Sequence, residues 1–193
     1  IINGDCSYRS LMARWYFIRH GESVANHEGW LAGHHDSPLT ERGRQQARSL
    51  KKELIGLEID RVYCSDLVRA HETARIAFSA RTDIPEPLSR LRERHLGAWE
   101  GEKIERLRET GEMATLLEWE GQPPNGESQR QVAHRVLGWM VTQDSNQSTV
   151  LVVHGGIIRA ITGLLDGLNP SEIGRRKIGN AILIERQVSP DRL

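Results

Sequence analysis

Thr149-Val-Leu-Val-Val153 is the strongest strand signal in the chain, and it runs directly into His154-Gly155-Gly156 and a helical stretch from Ile157 to about Leu165. A similar order appears near the start. Trp15-Tyr-Phe-Ile18 is short, aromatic and β-branched, reads as a buried strand, and ends in Arg19-His20-Gly21. Ile59 to Cys64 is a further strand, followed by Ser65 and Asp66, either of which can cap a helix carrying Leu67, Ala70, Ala74 and Ala77. Strands alternating with helices imply a parallel or mostly parallel sheet covered on both faces. Ligands of such sheets bind outside the carboxyl ends of the strands. His20 and His154 are therefore both expected at the edge where a site belongs.

The remaining segments fit that frame. Pro38-Leu-Thr40 opens a helix with Thr40 as N-cap, and Leu50, Leu54 and Leu57 follow at helical spacing. Ile84-Pro-Glu-Pro-Leu88 is extended, since its prolines exclude a helix. Residues 101–120 are charged and predict short helices, and Gln122-Pro-Pro-Asn-Gly126 is a loop. Ser128 to Gln131 fits a capping box that starts a helix through about Thr142, and Asp144 to Ser148 is a polar turn. Asn169-Pro170 begins a short helix with proline at its first position, and Ala181-Ile-Leu-Ile184 is a last strand.

A length of 193 residues favours one domain, placed at 14–193 with a small cover segment at about 101–125. Residues 1–13 match no usable pattern and read as a tail. Lys plus Arg and Asp plus Glu number 26 each, which argues against a dedicated nucleic-acid binder, whose affinity rests on excess positive charge. Cys6 and Cys64 are not expected to pair, so a reducing compartment is expected. No apolar run reaches membrane-spanning length and the first residues show no signal-peptide pattern, so a cytoplasmic location is expected.

The residues that could carry chemistry each have an ordinary reading when taken alone. His20 could be a satisfied core histidine, Arg69 a solvated helical arginine and His154 a strand-end residue before a helix. Glu93 is one charge in a charged stretch. Together they suggest more. A neutral imidazole can attack phosphorus when its far nitrogen is held by a hydrogen bond. Arg19 offers a planar fork of donors matched to phosphate oxygens. Arg69, about one turn into the helix after Ser65, can point over the same edge. Gly155 and Gly156 expose amides at a helix N-terminus, a natural anion site.

Several separated motifs occur in order: Arg19-His20-Gly21-Glu22-Ser23 with Asn26; Gly33 to Asp36-Ser-Pro-Leu-Thr40-Glu-Arg-Gly43; Ser65-Asp-Leu-Val-Arg69-Ala with Thr73-Ala74; Glu93-Arg-His-Leu-Gly97 with Trp99-Glu-Gly101; Gly126-Glu-Ser128; His154-Gly155-Gly156; and Asn180-Ala181. This set resembles the histidine phosphatase superfamily, which includes the cofactor-dependent phosphoglycerate mutases, from about Arg14 to Ile184. The resemblance implies an α/β fold, a three-layer sandwich with a mostly parallel central sheet and helices on both faces, of the phosphoglycerate mutase-like type. It implies that His20 is the nucleophile that becomes phosphohistidine and that Glu93 is the proton donor. It places Arg19, Arg69 and His154 in the phosphate pocket, with further contacts from Asn26 and from the main chain near Ser23 and Gly155. It implies no metal and no cofactor, and it sets His34-His35-Asp36 on a loop near the site entrance. Trp30, Trp99 and Trp119 are read either as pocket lining or as packing residues.

The same chemistry serves two outcomes. The glycolytic mutases of this family carry a sizeable insertion after the glutamate motif, where this chain has the shorter, Glu-rich segment Glu102–Asn125. A less sealed cover favours transfer to water. A phosphomonoester hydrolase is therefore the expected activity, a phosphoglycerate mutase the runner-up, and a non-catalytic phospho-ligand or phosphoprotein module the alternative from another class. The expected partner is a small phosphorylated metabolite, with a phosphoprotein second and no nucleic acid or membrane. The expected assembly is a monomer or homodimer.

Overall fold

The computed structural model describes residues 13–81 and 85–189. The readings of the N-terminal tail and of a Cys6–Cys64 pair fall largely or wholly outside them. Cys64 itself is a free, buried thiol, and burial pushes its pKa up to about 12.

Five strands make one sheet in the order β3-β2-β4-β1-β5. They are β1 (Ala13–Arg19), β2 (Arg61–Ser65), β3 (Glu86–Leu88), β4 (Ser148–Val153) and β5 (Leu183–Val188). β4 pairs in parallel with β1 and with β2, β2 pairs in parallel with β3, and β5 closes the far edge antiparallel to β1. In the β1–β4 ladder Arg19 lies opposite Val153, so the two central strands end level and release His20 and His154 side by side.

The alternation of side chains along a strand divides the core into two. Trp15 and Phe17 of β1 join Leu151 and Val153 of β4 on one face. There they meet Val132, Val136 and Met140 of α6 (Gln129–Met140) and Ile157, Ile158 and Ile161 of α7 (Gly155–Leu165). Tyr16, Ile18, Val150 and Val152 point the other way, against Leu50 of α2 (Glu41–Glu53) and Ala74 and Ala77 of α3 (Val68–Ala77). Two helical layers around a sheet whose central strands β1 and β4 are buried on both faces give the expected three-layer sandwich. Leu54 and Leu57, beyond the end of α2, still pack against that second cluster.

The shorter helices are α1 (Val24–Glu28), α4 (Ile104–Glu109), α5 (Met113–Leu117) and α8 (Pro170–Arg175). A third apolar cluster, Leu96, Trp99, Leu107 and Leu116, sits beneath α4 and α5 and fixes the cover segment to the body. Trp99 therefore packs, and Trp119 packs against the first cluster. Trp30 spends its indole N–H on Glu28.

Caps predicted from sequence form as expected at Thr40, at Ser128 with Gln131, and at Asn169 before Pro170. Three boundaries differ. The N-cap of α3 is Leu67, without a side-chain cap, rather than Ser65 or Asp66: the Ser65 hydroxyl accepts the Leu67 N–H at 3.2 Å, and Asp66 is drawn into a bidentate pair with Arg92. α7 starts at Gly155, directly after His154. The last strand is Leu183–Val188 instead of 181–184, because Ala181 takes a left-handed φ of 51° that no strand accommodates. Of the expected extended stretch 84–88, Ile84 lies outside the described residues and Glu86–Leu88 is β3.

Candidate active site

His20 leaves the end of β1 only 3% exposed. Its N–H donates to Val153 across the ladder, and its Nδ1 lies 2.7 Å from the Gly21 carbonyl oxygen. A carbonyl can only accept, so Nδ1 carries the proton and Nε2 presents its lone pair. The peptide that fixes this tautomer is itself held: the Gly21 N–H donates to Thr73 Oγ1 at 3.0 Å, and Thr73 donates onward to the Arg69 carbonyl at 2.6 Å. Asn180 Nδ2 donates to the His20 carbonyl at 3.1 Å and to Asn26 Oδ1 at 3.0 Å.

His154 faces His20 with ring centroids 5.1 Å apart at 61°. It is fully buried, and neither ring nitrogen has a partner among the described residues. Buried polar atoms are rarely left this way, so the ring has hydrogen-bonding capacity to offer a ligand. Burial, then the charges of Arg69 and Arg19, hold the pKa of His20 well below the usual imidazole value. Burial, then Arg69, His20 and Arg19, do the same at His154. Both rings are neutral.

Arg19 donates from Nη1 to the Ile178 carbonyl, while its buried Nε has no partner. Gly155 lies against it: a Cβ there would sit 3.2 Å from that Nε. Arg69 is 2% exposed and donates from Nη1 to His35 O at 3.0 Å and from Nη2 to Gly33 O at 2.7 Å. Burial lowers the pKa of both arginines, partly offset by the Glu93 carboxylate. Nearby negative charge favours the charged guanidiniums, as the oxygens of a bound anion would.

Glu93 stands across from these cations. Its Oε1 accepts the Arg94 N–H at 2.8 Å and its Oε2 the Gly156 N–H at 3.0 Å. Any side chain at 156 would collide with it, a Cβ falling 2.3 Å from Oε1. Glu93 thus caps the start of α7, where backbone N–H groups lack helical acceptors. His34 Nε2 donates to the Glu93 carbonyl at 2.8 Å and Arg135 Nη2 to the same oxygen at 3.4 Å.

The remaining expected residues lie at the margin. Asn26 is exposed, and its amide oxygen already accepts from Ser23 N–H and Asn180, so its NH2 is the group left for a ligand. Ser23 is buried as the N-cap of α1, with its hydroxyl and its N–H both engaged by Asn26. Among the described residues no group of three or more His, Cys, Asp or Glu is placed to hold a metal.

The fold therefore brings two neutral imidazoles, two guanidiniums and a carboxyl from four separate stretches of sequence to one edge of the sheet. Such a site can bind a tetrahedral anion and offer it a nitrogen nucleophile. The sequence profile of the histidine phosphatase superfamily (branch 1) matches residues 15–192. The chain belongs to that superfamily.

Relatives within it differ in activity. Over 180 residues, 86% of this chain and 82% of the other, the sequence is 33% identical to a 2,3-bisphosphoglycerate-dependent phosphoglycerate mutase 2 of Gloeobacter violaceus. It is 34% identical to the adenosylcobalamin/alpha-ribazole phosphatase of Escherichia coli over 82% of this chain and 81% of that one. Among solved structures, a mycobacterial glucosyl-3-phosphoglycerate phosphatase in complex with VO3 is similar with a TM-score of 0.80 and 28% identity, covering 90% of this chain and 92% of that chain. The protein is accordingly an enzyme of the histidine phosphatase type, with the mostly parallel sheet and flanking helices of the phosphoglycerate mutase-like fold.

Sequence reasoning missed the supporting residues of this histidine phosphatase. Thr73 and Asn180 were visible within motifs but carried no assigned role. The helical spacing of Thr73, four residues after Arg69, was the available signal. His34 read only as part of a polar entrance loop. Nothing in the sequence tied Arg94 or Arg135 to the site.

Proposed function

We propose that this enzyme hydrolyses phosphomonoesters through a phosphohistidine on His20. The observation that carries the proposal is the tautomer: the Gly21 carbonyl accepts a hydrogen bond from Nδ1–H, so Nε2 is left as the nucleophile beside the buried Arg69 and His154 and the half-buried Arg19. Phosphoryl transfer asks mainly for placement and neutralisation of charge. Arg19, Arg69 and His154 supply both around the equatorial oxygens, with the Asn26 NH2 and main-chain N–H groups near Ser23 and Gly155 at the rim. In the first step the Nε2–P bond forms as the bond from phosphorus to the ester oxygen breaks, and a protonated Glu93 gives its proton to the departing oxygen. In the second, water attacks phosphorus, Glu93 takes its proton, the N–P bond breaks, and His20 returns to neutral. No metal or cofactor enters this scheme.

Hydrolysis is favoured over mutase chemistry by the cover, which consists of two helices of six and five residues and so provides little to exclude water. We read residues 14–193 as one catalytic domain acting on a small phosphorylated metabolite in the cytoplasm, as a monomer or homodimer, with no nucleic-acid or membrane partner. Support for the substrate class comes from the relatives' names. A phosphoprotein is the second substrate class. The mutase relative keeps phosphoglycerate isomerisation as the second reading.

A pulse with a labelled phosphomonoester followed by quenching tests the scheme. The expected result is an acid-labile phosphoenzyme in wild type, none in His20→Ala, and release of inorganic phosphate from a panel of esters. Isomerisation of 3-phosphoglycerate without phosphate release would reverse the choice of hydrolase. Ligand binding with no turnover on any ester would remove the catalytic reading altogether.

A further inference from the structure

Glu100 takes no part in the scheme above, yet it grips the loop that holds two of its groups. Its side chain is only 6% exposed. One oxygen, Oε1, accepts the His34 N–H at 2.8 Å and the Leu96 N–H at 3.0 Å, and lies 3.7 Å from His95 Nε2. The other oxygen lies 3.6 Å from His35 Nε2. The preceding residue, Gly33, has φ of 50°, and a Cβ on it would sit 2.2 Å from Glu100 Oε1. Only glycine allows the loop to lie this close to the carboxylate in this backbone conformation.

The same short loop bears on the site. The carbonyls of Gly33 and His35 are the two acceptors that hold Arg69. The His34 ring, whose backbone N–H is bound by Glu100, donates to the Glu93 carbonyl. One carboxylate thus fixes a loop that orients both a phosphate-binding guanidinium and the segment carrying the proton donor.

We infer that Glu100 is a positioning residue for phosphoryl transfer, acting through the Gly33–His35 loop on Arg69. The inference rests on the reaction proposed above. What matters is the reach of the Glu100 oxygen to the His34 and Leu96 amides rather than its charge. Holding a guanidinium in place is worth much in this chemistry, because a misplacement of about 1 Å costs roughly 100-fold in rate.

Two substitutions separate reach from charge. Glu100→Gln keeps an oxygen that can accept both N–H groups and loses the charge. Glu100→Asp keeps the charge and withdraws the oxygen by one methylene. The readouts are kcat/KM on a phosphomonoester and the affinity for inorganic phosphate measured by calorimetry, which needs no turnover and so tests the inference even where hydrolysis itself fails. Glu100→Asp is expected to lose about 100-fold in kcat/KM and to bind phosphate more weakly, while Glu100→Gln retains most of both. In an Arg69→Ala background Glu100→Asp should weaken phosphate binding little further, since both lesions remove the same guanidinium contact. Gly33→Ala reaches the same contact from the loop side and should copy Glu100→Asp, which keeps the question open to test if the latter does not fold. The inference is overturned if Gln falls as far as Asp, if the Asp and Arg69→Ala losses in phosphate affinity multiply, or if folded Glu100→Asp or Gly33→Ala binds phosphate like wild type.

Discussion

His20 and His154 stay neutral well below the pH at which a free imidazole takes a proton, and the cause is the same for both: a buried ring near the buried Arg69 and the half-buried Arg19. The unfolded chain has no such penalty and binds protons at its histidines below a pKa of about 6.5. Stability is then fully present above that pH and is lost as pH falls, since the unfolded state takes up protons that the folded state refuses. His34, also lowered by burial, adds in the same direction. Each fully suppressed group contributes up to about 1.4 kcal/mol per pH unit in that window. Melting followed from about pH 7.5 to about pH 5 should show a falling midpoint, and the slope should flatten in a His20→Asn, His154→Asn double variant. An unchanged slope would show that these rings do not titrate as described. The two histidines and their place at strand ends were legible in the sequence, because an apolar run ends directly before His154 and one residue before His20. The lack of any partner on the His154 ring among the described residues was not, because it depends on what four distant segments bring alongside.

Among elements, the contact between α2 and the segment after β1 has the least slack. Thr40 N–H donates to Glu22 O at 2.9 Å, Glu22 N–H donates to Gln46 Oε1 at 2.8 Å, and a Cβ at Gly43 would lie 2.0 Å from Glu22 O. The first turn of α2 therefore buttresses Gly21, whose carbonyl sets the His20 tautomer. Gly43→Ala must push backbone from backbone. It should destabilise by about 1–3 kcal/mol, read as a lower urea midpoint, and should lower kcat/KM as well. A stable variant with full activity would show that the buttress has no catalytic consequence. At this scale local chemistry decided what could be read ahead of the structure. Thr40, Ser128 and Asn169 announce their helices because a cap is a local event. The start of α3 and the frame of β5 are set by tertiary partners, the Asp66–Arg92 pair and the antiparallel ladder to β1, and no window of sequence contains them.

For the molecule as a whole, the alternation of strand and helix was enough to foresee three layers, while the strand order was not, since β4 inserts between β1 and β2 from more than eighty residues downstream. The cover is tied to this body by a second buried cation. Arg94, 4% exposed, donates to the carbonyls of Glu127, Leu116 and Gly121 at 2.7, 2.9 and 2.6 Å, and burial lowers its pKa to about 10, so it stays charged at neutral pH. Arg94→Ala removes the donor from the buried Gly121 carbonyl, at a cost of about 1–3 kcal/mol for an unpaired acceptor, and from the half-buried Glu127 carbonyl, while the Leu116 carbonyl keeps Gln129 Nε2 at 3.0 Å. Limited proteolysis should then cut within 102–125 well before the sheet unfolds; resistance equal to wild type would show that the third apolar cluster holds the cover alone. The unpaired ring nitrogens of His154 have a consequence on the same scale. In the proposed reaction, whatever satisfies that ring steadies the whole fold, and the free orthophosphate left after each turnover satisfies it as well as the ester did. Such an enzyme should let go of its product reluctantly, and its pace in a phosphate-rich setting would be governed by departure rather than by bond-breaking.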